Sequence, residues 1–250
     1  MDVFRALLHD SADPGQVRDV GAHRVLLDRA DGWAAGPLVV DDERLSGLAD
    51  SGNGVALSVR TSGGAGGVAA LARRAGGLQV VAAETTLRDL DDLAGNATRV
   101  VAAAAELPDG IEVYVGLPVA AGTVGAVEVV EAAGLLARID LGHGTRPRPT
   151  ELLSTLVEAD LPFKATGLGT DPFGALGLVT VLMAVEVLID GADLREADAL
   201  LDGVDEHRAG VALASWDGAA STRVRRRLRG VDCTDVAATL DRLAGAGLLD

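Results

Sequence analysis

Short valine-rich runs alternate with longer amphipathic stretches along most of this chain. Eight runs have the length and composition of strands, and most of them are followed by a loop with Gly or Pro and then by a helical pattern. They are PLVV (37–40), VALSVRT (55–61), LQVVAAET (78–85), IEVYVGLP (111–118), LLARIDLG (135–142), PFKATG (162–167), AGVALASW (209–216) and RRLRGVDC (226–233). Strands that alternate with helices predict right-handed βαβ units and a parallel sheet.

Eight such strands in a chain of 250 residues predict an α/β fold, a (βα)8 TIM-like barrel, as a single domain over residues 1–250. We expect the first barrel strand near residue 37, so that residues 1–35 form an N-terminal extension with a short helix in FRALLHD (4–10). The alternative is an open doubly wound sheet, which usually carries a Gly-rich phosphate loop after its first strand. The acidic segment DDERLSGLAD (41–50) stands there instead, which favours the barrel. The longest insertion, 183–203, predicts two consecutive helices split at Gly191.

Several of the predicted strands alternate polar with apolar residues, although parallel strands covered on both faces are normally apolar throughout. Because side chains alternate between the faces of a strand, the polar set of each strand points one way. The apolar set should face the surrounding helices, so we expect the polar set in the barrel lumen. Its members are Arg60, Glu84, Glu112, Tyr114, Arg138, Asp140, Lys164 and Thr166.

The charges of this lumen set balance, three basic against three acidic, as a buried network requires. Two interpretations stay open. The network can be a purely structural filling of the lumen, or it can be a functional pocket. Arg60, Glu84, Asp140 and Lys164 lie toward the C-terminal ends of their strands, where barrel enzymes place their chemistry, and this favours a pocket.

Lys164 is the only lysine of the chain, and the other 21 basic residues are arginines. A buried amine can lose its proton and attack a carbonyl, whereas a guanidinium stays protonated. The sequence therefore predicts Lys164 as a Schiff-base nucleophile or a general base, acting on a small anionic carbonyl compound.

The predicted strand count places Lys164 at the end of strand six. This position resembles that of the Schiff-base lysine in class I aldolases of the barrel type. The resemblance implies a lyase-like or isomerase-like reaction with Lys164 as nucleophile, Asp140 or Glu84 as general acid and base, and Arg60 as the clamp for an anionic substrate group. We expect Arg138, Tyr114, Thr166 and His143 to complete the substrate site. His143 stands between glycines in DLGHGT (140–145).

Two further motifs, VRTSGG (59–64) and PFKATG (162–167), are similar to an uncharacterised bacterial family of barrel proteins. In that family RTGG follows one strand, and a PFKATAGLHH-like strand end is followed by an HGFLN-like helix start. Here Gly169 and Thr170 replace the paired histidines, and LGLVT (176–180) lacks the His and Asn. The resemblance implies a degenerate member of the family. The alternative to an enzyme is therefore a catalytically silent barrel with a binding or assembly role.

A metal site is a further option, because Glu84 and Asp140 at the ends of different strands could hold Mg²⁺, with water in the other positions. The strand that would supply a third carboxylate ends in Leu117-Pro118. We therefore predict no metal ligands and no cofactor. Cys233, the only cysteine, excludes an internal disulfide and a cysteine-based zinc cluster, and the residues after it are expected to cap the last helix.

The net charge of −15 and the pI near 4.6 argue against a nucleic-acid partner. The one basic cluster, RVRRRLRG (223–230), is expected to cover neighbouring acidic helices or to pair across the interface of a homo-oligomer. No run approaches the roughly 20 apolar residues of a membrane span, and no signal-peptide pattern is present. The absence of both patterns predicts a cytoplasmic protein. The partner that we expect from the candidate site is a small-molecule anion.

Overall fold

The structure is a computed structural model that describes residues 2–12, 16–48, 52–142 and 149–249. Eight strands form a closed, all-parallel barrel in which each strand pairs with the next and β8 pairs with β1. This confirms the predicted (βα)8 barrel. The strands are β1 (Leu8–Asp10), β2 (Ala35–Asp41), β3 (Leu57–Arg60), β4 (Val80–Thr86), β5 (Glu112–Gly116), β6 (Leu136–Asp140), β7 (Phe163–Thr166) and β8 (Leu228–Cys233).

Helices surround the barrel and connect its strands. They are α1 (Val20–Leu27), α2 (Gly64–Arg74), α3 (Leu93–Ala104), α4 (Thr123–Ala132), α5 (Thr150–Glu158), α6 (Leu178–Ile189), α7 (Leu194–Leu201), α8 (Glu206–Ala214), α9 (Gly218–Arg227) and α10 (Val236–Gly245). The predicted split of the 183–203 insertion is confirmed, because α6 ends before Gly191 and α7 begins after it. Gly191 has a φ of 85°, a conformation that glycine adopts without strain.

Aspartate begins many of these helices, which accounts for part of the acidic composition. An N-cap carboxylate accepts a hydrogen bond from a first-turn amide and favours the positive end of the helix dipole. The cap predicted for the last helix is confirmed, because Asp235 accepts from the Ala238 amide at 3.0 Å. The other aspartates with this role are Asp19, Asp92, Asp193, Asp205 and Asp217.

Two predictions about individual elements are wrong, and their errors cancel in the strand count. The first barrel strand is β1 (Leu8–Asp10), not a strand near residue 37, so residues 1–35 are not an extension outside the barrel. With only three residues, β1 is too short to show the alternation of side chains that reveals a strand in a sequence. The predicted strand at 209–216 lies largely in α8, where Ala209 and Leu213, four residues apart, are buried and Val211 is 60% exposed. Lys164 therefore lies on the seventh strand, not the sixth.

The apolar residues of each strand contribute to one continuous core that also includes the inward faces of the helices. Val113 and Val115 of β5 and Ile139 of β6 are at most 3% exposed and belong to this core. Because side chains alternate along a strand, the intervening polar residues point into the lumen. No helix in the described part of the chain is long and apolar enough to cross a membrane.

Candidate functional site

The ammonium group of Lys164 lies at the centre of the barrel between two carboxylates. Its Nζ atom is 2.5 Å from Glu84 Oε1 and 2.6 Å from Asp232 Oδ1. The contact with Glu84 is an aligned hydrogen bond, whereas the contact with Asp232 is a close ion pair without hydrogen-bond alignment. Ser58 also donates to Glu84 Oε1, at 2.6 Å. The side chains of Lys164 and Glu84 are fully buried, so each needs the other as a charge partner.

An arginine stands beyond each of these carboxylates. The Arg138 guanidinium is 3.6 Å from Glu84 Oε2, and the Arg60 guanidinium is 3.5 Å from Asp232 Oδ2. The charges therefore alternate across the lumen in the order Arg138, Glu84, Lys164, Asp232, Arg60, which we call the ionic row. The row contains three cations and two carboxylates, so it carries an excess positive charge.

Burial and the neighbouring charges perturb the two carboxylates of the row in opposite directions. For Glu84, burial would raise the pKa, but Lys164 and Arg138 outweigh it and hold the pKa below its usual range. For Asp232, burial dominates and raises the pKa, although Lys164 and Arg60 oppose the shift. Glu84 is therefore a fixed anion at neutral pH, and Asp232 is the carboxyl that gains a proton more readily.

A cavity of about 480 Å³ opens onto the ionic row at the C-terminal ends of the strands. Its wall includes Arg60, Arg138, Asp140, Thr166, Asp232 and Cys233, whereas Lys164 is not part of the wall. This is the end of the barrel at which enzymes of this fold carry their active sites.

The rim of this cavity is narrow where the loops after β6 and β7 meet. Gly167 has a φ of 70°, and a Cβ atom there would lie 2.3 Å from Asp140 Oδ1. Asp140 Oδ1 accepts a hydrogen bond from the Gly142 amide at 3.0 Å. Only a glycine lets the two loops come this close, which fixes Asp140 at the rim.

The structure brings together most of the residues that the sequence assigned to the site. Arg60, Glu84, Arg138 and Lys164 belong to the ionic row. Asp140 and Thr166 lie on the cavity wall outside the row. Thr166 donates a hydrogen bond to the Ile139 carbonyl at 3.3 Å. His143 lies outside the described residues.

Tyr114 and Glu112 do not join this group. Tyr114 is buried and donates a hydrogen bond to Glu112 at 2.7 Å, and both residues line a separate cavity. Glu112 forms an ion pair with Arg229 at 3.0 Å. Glu112 is the first residue of β5 and Tyr114 is its middle residue, whereas Arg60 is the last residue of β3 and lies nearer the C-terminal end of the barrel. The sequence assigned Tyr114 to the substrate site and Glu112 only to the lumen, and the structure places Tyr114 on the wall of this separate cavity instead.

Sequence reasoning missed two residues of the centre, Asp232 and His9. Asp232 could have been found, since in RGVDC it alternates with Val231 as the polar residues of the other strands do. The His9 ring is 95% buried and packs against glycines of both neighbouring strands. A Cβ on Gly230 would lie 2.3 Å from His9 Nε2, and one on Gly36 would lie 2.7 Å from Cδ2. Burial and Lys164 lower the pKa of His9 well below its usual value, so the ring is neutral.

The lumen also contains a set of potential metal ligands. His9, Glu84 and Asp232 each present one donor atom, and these atoms lie within 4.8 Å of one another. This set differs from the Glu84 and Asp140 pair considered from the sequence. The Lys164 ammonium already contacts both carboxylates, so it holds the position that a bound cation would take.

No protein-family model matches the chain, and no curated protein matches it. Among solved structures, the carboxyl transferase domain of Rhizobium etli pyruvate carboxylase with pyruvate and biocytin is 14% identical, with a TM-score of 0.46. The match covers 98% of this chain and 48% of that structure, so this chain spans about half its length. The YdjI aldolase from Escherichia coli K12 is 12% identical, with a TM-score of 0.44 and coverage of 98% and 92%. A dihydropteroate synthase from Xanthomonas albilineans is 15% identical, with a TM-score of 0.42 and coverage of 98% and 93%. At these identities and TM-scores the likenesses carry no argument about activity.

Proposed function

We propose that this protein is a barrel enzyme that binds a small organic anion in the C-terminal cavity and transfers a proton through Asp232. The observation that carries the proposal is the pair of guanidinium groups, Arg60 and Arg138, that end the ionic row on the cavity wall. Within the row three cations share two carboxylates, and the other carboxylates of the wall, Asp140 and Asp235, lie outside it. In addition, Arg60 Nε is buried without a hydrogen-bond partner. A carboxylate or phosphate group of a ligand would supply a further negative charge and acceptor oxygens for the guanidinium groups of Arg60 and Arg138.

Asp232 is the proposed acid and base. It lines the cavity, and its raised pKa brings its two protonation states closer in free energy at neutral pH than those of an ordinary aspartate. Lys164 contacts it on the side away from the cavity, and the charge of its ammonium group stabilises the carboxylate form. Arg60 and Arg138 would hold the anionic group of the substrate and stabilise negative charge that develops when a proton leaves the carbon beside a carbonyl. This chemistry belongs to the lyase-like and isomerase-like class of reactions.

We assign Lys164 a different role from the Schiff-base nucleophile that the sequence suggested. To attack a carbonyl, its amine would have to leave two carboxylates at 2.5 and 2.6 Å and reach a cavity whose wall it does not form. Leaving both carboxylates buried without their cation would cost several kcal/mol. Its place on the seventh strand also removes the positional resemblance to class I aldolases.

Borohydride trapping tests this assignment. The protein is incubated with small aldehydes and 2-keto acids, reduced, and weighed intact by mass spectrometry. Because Lys164 is the only lysine, only its amine and the N-terminal amine can form an adduct. We expect no adduct at Lys164. A mass gain that disappears in Lys164→Arg would establish the Schiff-base mechanism and overturn the proposal of proton transfer by Asp232.

The proton transfer itself is tested by ligand binding and solvent deuterium exchange. A panel of small carboxylates, keto acids and phosphate esters is titrated by calorimetry, and each bound compound is followed by NMR for exchange of its carbon-bound protons in D₂O. We expect Asp232→Asn to retain binding and lose exchange, and Arg60→Gln to lose binding. Arg223→Gln, an exposed change of the same charge, is the control. Undiminished exchange in Asp232→Asn would exclude Asp232 as the base.

A second candidate function is ligand binding without turnover, as in a degenerate member of the barrel family that the VRTSGG and PFKATG motifs resemble. The observation in its favour is that Gly169 and Thr170, which replace the paired histidines of that family, line the C-terminal cavity. The same experiment separates the two functions. Binding that depends on Arg60, with no exchange in any bound compound, would favour the silent barrel.

A further inference from the structure

A second cavity, of about 460 Å³, lies at the N-terminal end of the barrel, opposite the proposed active site. Its polar wall consists of His9, Glu112, Tyr114, Arg225 and Arg229. The two arginines come from the basic cluster 223–230, at the junction of α9 and β8.

The two arginines have unequal partners. Arg229 forms an ion pair with Glu112 at 3.0 Å, and the other oxygen of Glu112 accepts the hydrogen bond from Tyr114 at 2.7 Å. Arg225 donates only to main-chain carbonyls, to Leu228 at 2.6 Å and to Arg5 at 3.1 Å. Within the described ranges it forms no ion pair. The cavity wall therefore has two cations and one carboxylate, in a chain whose net charge is −15.

The environment of Arg225 makes a nearby anion favourable. Burial, together with the like charge of Arg229, lowers the pKa of Arg225 to about 10. A guanidinium that is partly removed from water beside a like charge is stabilised by any anion that reaches it. The guanidinium also offers several donors in a planar fork that suits carboxylate and phosphate oxygens.

His9 closes the inner end of this cavity. Its ring is 95% buried, and Nδ1 has no hydrogen-bond partner. Because His9 lines the cavity, a ligand bound there would change the environment of its ring. The Arg225 guanidinium, which has no ion-pair partner among the described residues, indicates an anionic ligand in this cavity.

We propose that the N-terminal cavity is a binding site for a small oxyanion, a carboxylate or phosphate group, held between Arg225 and Arg229 and in contact with His9. The site shares no wall residue with the C-terminal cavity, so anion binding there does not require the proposed catalytic function, although His9 also lies near Glu84 and Asp232.

Calorimetry in the Arg60→Gln background tests the site, because this change removes the anion partner at the other end of the barrel. Inorganic phosphate is titrated in one arm and succinate in the other, at constant ionic strength. Binding of phosphate, of succinate or of both supports the site, and the arm that responds identifies the chemical source. Binding in neither arm overturns the proposal.

Two variants locate the bound ion. Arg229→Gln removes a cation and should weaken binding about tenfold. Glu112→Gln removes the carboxylate that competes for Arg229, and we expect binding about tenfold tighter. Arg99→Gln on α3 makes the same charge change on an exposed helix and should leave the affinity unchanged. If Glu112 had a purely structural role, Glu112→Gln would not strengthen anion binding. Equal affinities in the parent, Arg229→Gln and Glu112→Gln would overturn the site even if an anion binds elsewhere.

NMR of the histidine rings gives an independent readout that does not depend on the arginine variants. We expect phosphate or succinate to shift the ring nitrogens of His9 more than those of His23 and His207. Ring resonances of His9 that stay fixed at a saturating concentration of the bound anion would place that anion outside this cavity.

Discussion

Replacing Lys164 by methionine removes the cation that two buried carboxylates share. The side chains of Glu84 and Asp232 are 0% and 9% exposed, so neither can recover its lost interaction from water. Removing one member of a buried ion pair costs about 3–5 kcal/mol, and methionine keeps most of the packing volume. In a domain of this size each kcal/mol lowers Tm by about 2–4 °C, so we expect Tm to fall by about 6–20 °C at pH 7.

The pH dependence distinguishes lost charge pairing from lost packing. In the parent, the depressed pKa of Glu84 contributes stability that is present above its unfolded pKa of about 4.3 and is lost as pH falls through the lower folded value. In Lys164→Met, burial acts on both carboxyls without the shared cation, so their folded pKa values should lie above the unfolded ones. The variant is then relatively more stable near pH 5 than at pH 7. The stability difference between parent and variant should therefore shrink as pH falls from 7 toward 5.

The assay is urea unfolding of the two proteins at pH 5, 6 and 7, followed by circular dichroism. Arg223→Met is the matched control, because it removes an exposed ion pair with Asp190 and should cost less than about 1 kcal/mol at every pH. A double variant, Lys164→Met with Glu84→Gln, should recover part of the lost stability, since one carboxylate no longer needs a cation. A Lys164→Met protein within about 1 kcal/mol of the parent, with no dependence on pH, would refute the ionic row as a buried network.

Three further predictions test the centre of the barrel. Lys164→Ala removes the ammonium group beside His9 and the two carboxylates, so we expect this variant to bind one Zn²⁺ per chain in calorimetry, whereas the parent protein does not. Zn²⁺ binding by the parent as well would contradict the idea that Lys164 occupies the metal position. Gly230→Ala places a Cβ 2.3 Å from the His9 ring and should lower the free energy of unfolding by about 1–3 kcal/mol in thermal unfolding. Gly245→Ala, whose Cβ would meet no atom within 4 Å, should not. Equal Tm values for the two variants would argue against the packing of His9 on Gly230. Burial raises the pKa of the Cys233 thiol, so native protein at pH 8 should react with iodoacetamide far more slowly than urea-unfolded protein, and equal rates would show an accessible thiolate.

The architecture was predictable because the strand and helix periods repeat along the chain, and eight strands alternating with helices are typical of a (βα)8 barrel. The individual elements were less predictable. The three residues of β1 carry no periodic signal, and the segment 209–216 is rich in alanine, whose helix propensity outweighs a pattern of alternating valine and leucine. One missed strand and one false strand left the count at eight. The missed strand β1 alone moved Lys164 from the seventh strand to the sixth, because the false strand follows it in the sequence, and the aldolase comparison depended on that position.

The candidate site shows which part of a barrel lumen a sequence specifies. Alternation along a strand tells which face a side chain occupies, and it correctly placed Arg60, Glu84, Arg138 and Lys164 in the lumen. It does not give the height along the barrel axis, because the strands are tilted and staggered relative to one another. Arg138 is level with Lys164 in the ladder, whereas Glu112 pairs only with Ala82, two residues before Glu84. The three cations and three anions counted from the sequence therefore lie in different layers of the barrel lumen. At the level of the ammonium the row has three cations and only two carboxylates, and our proposal of a negatively charged ligand in the C-terminal cavity depends on that layer.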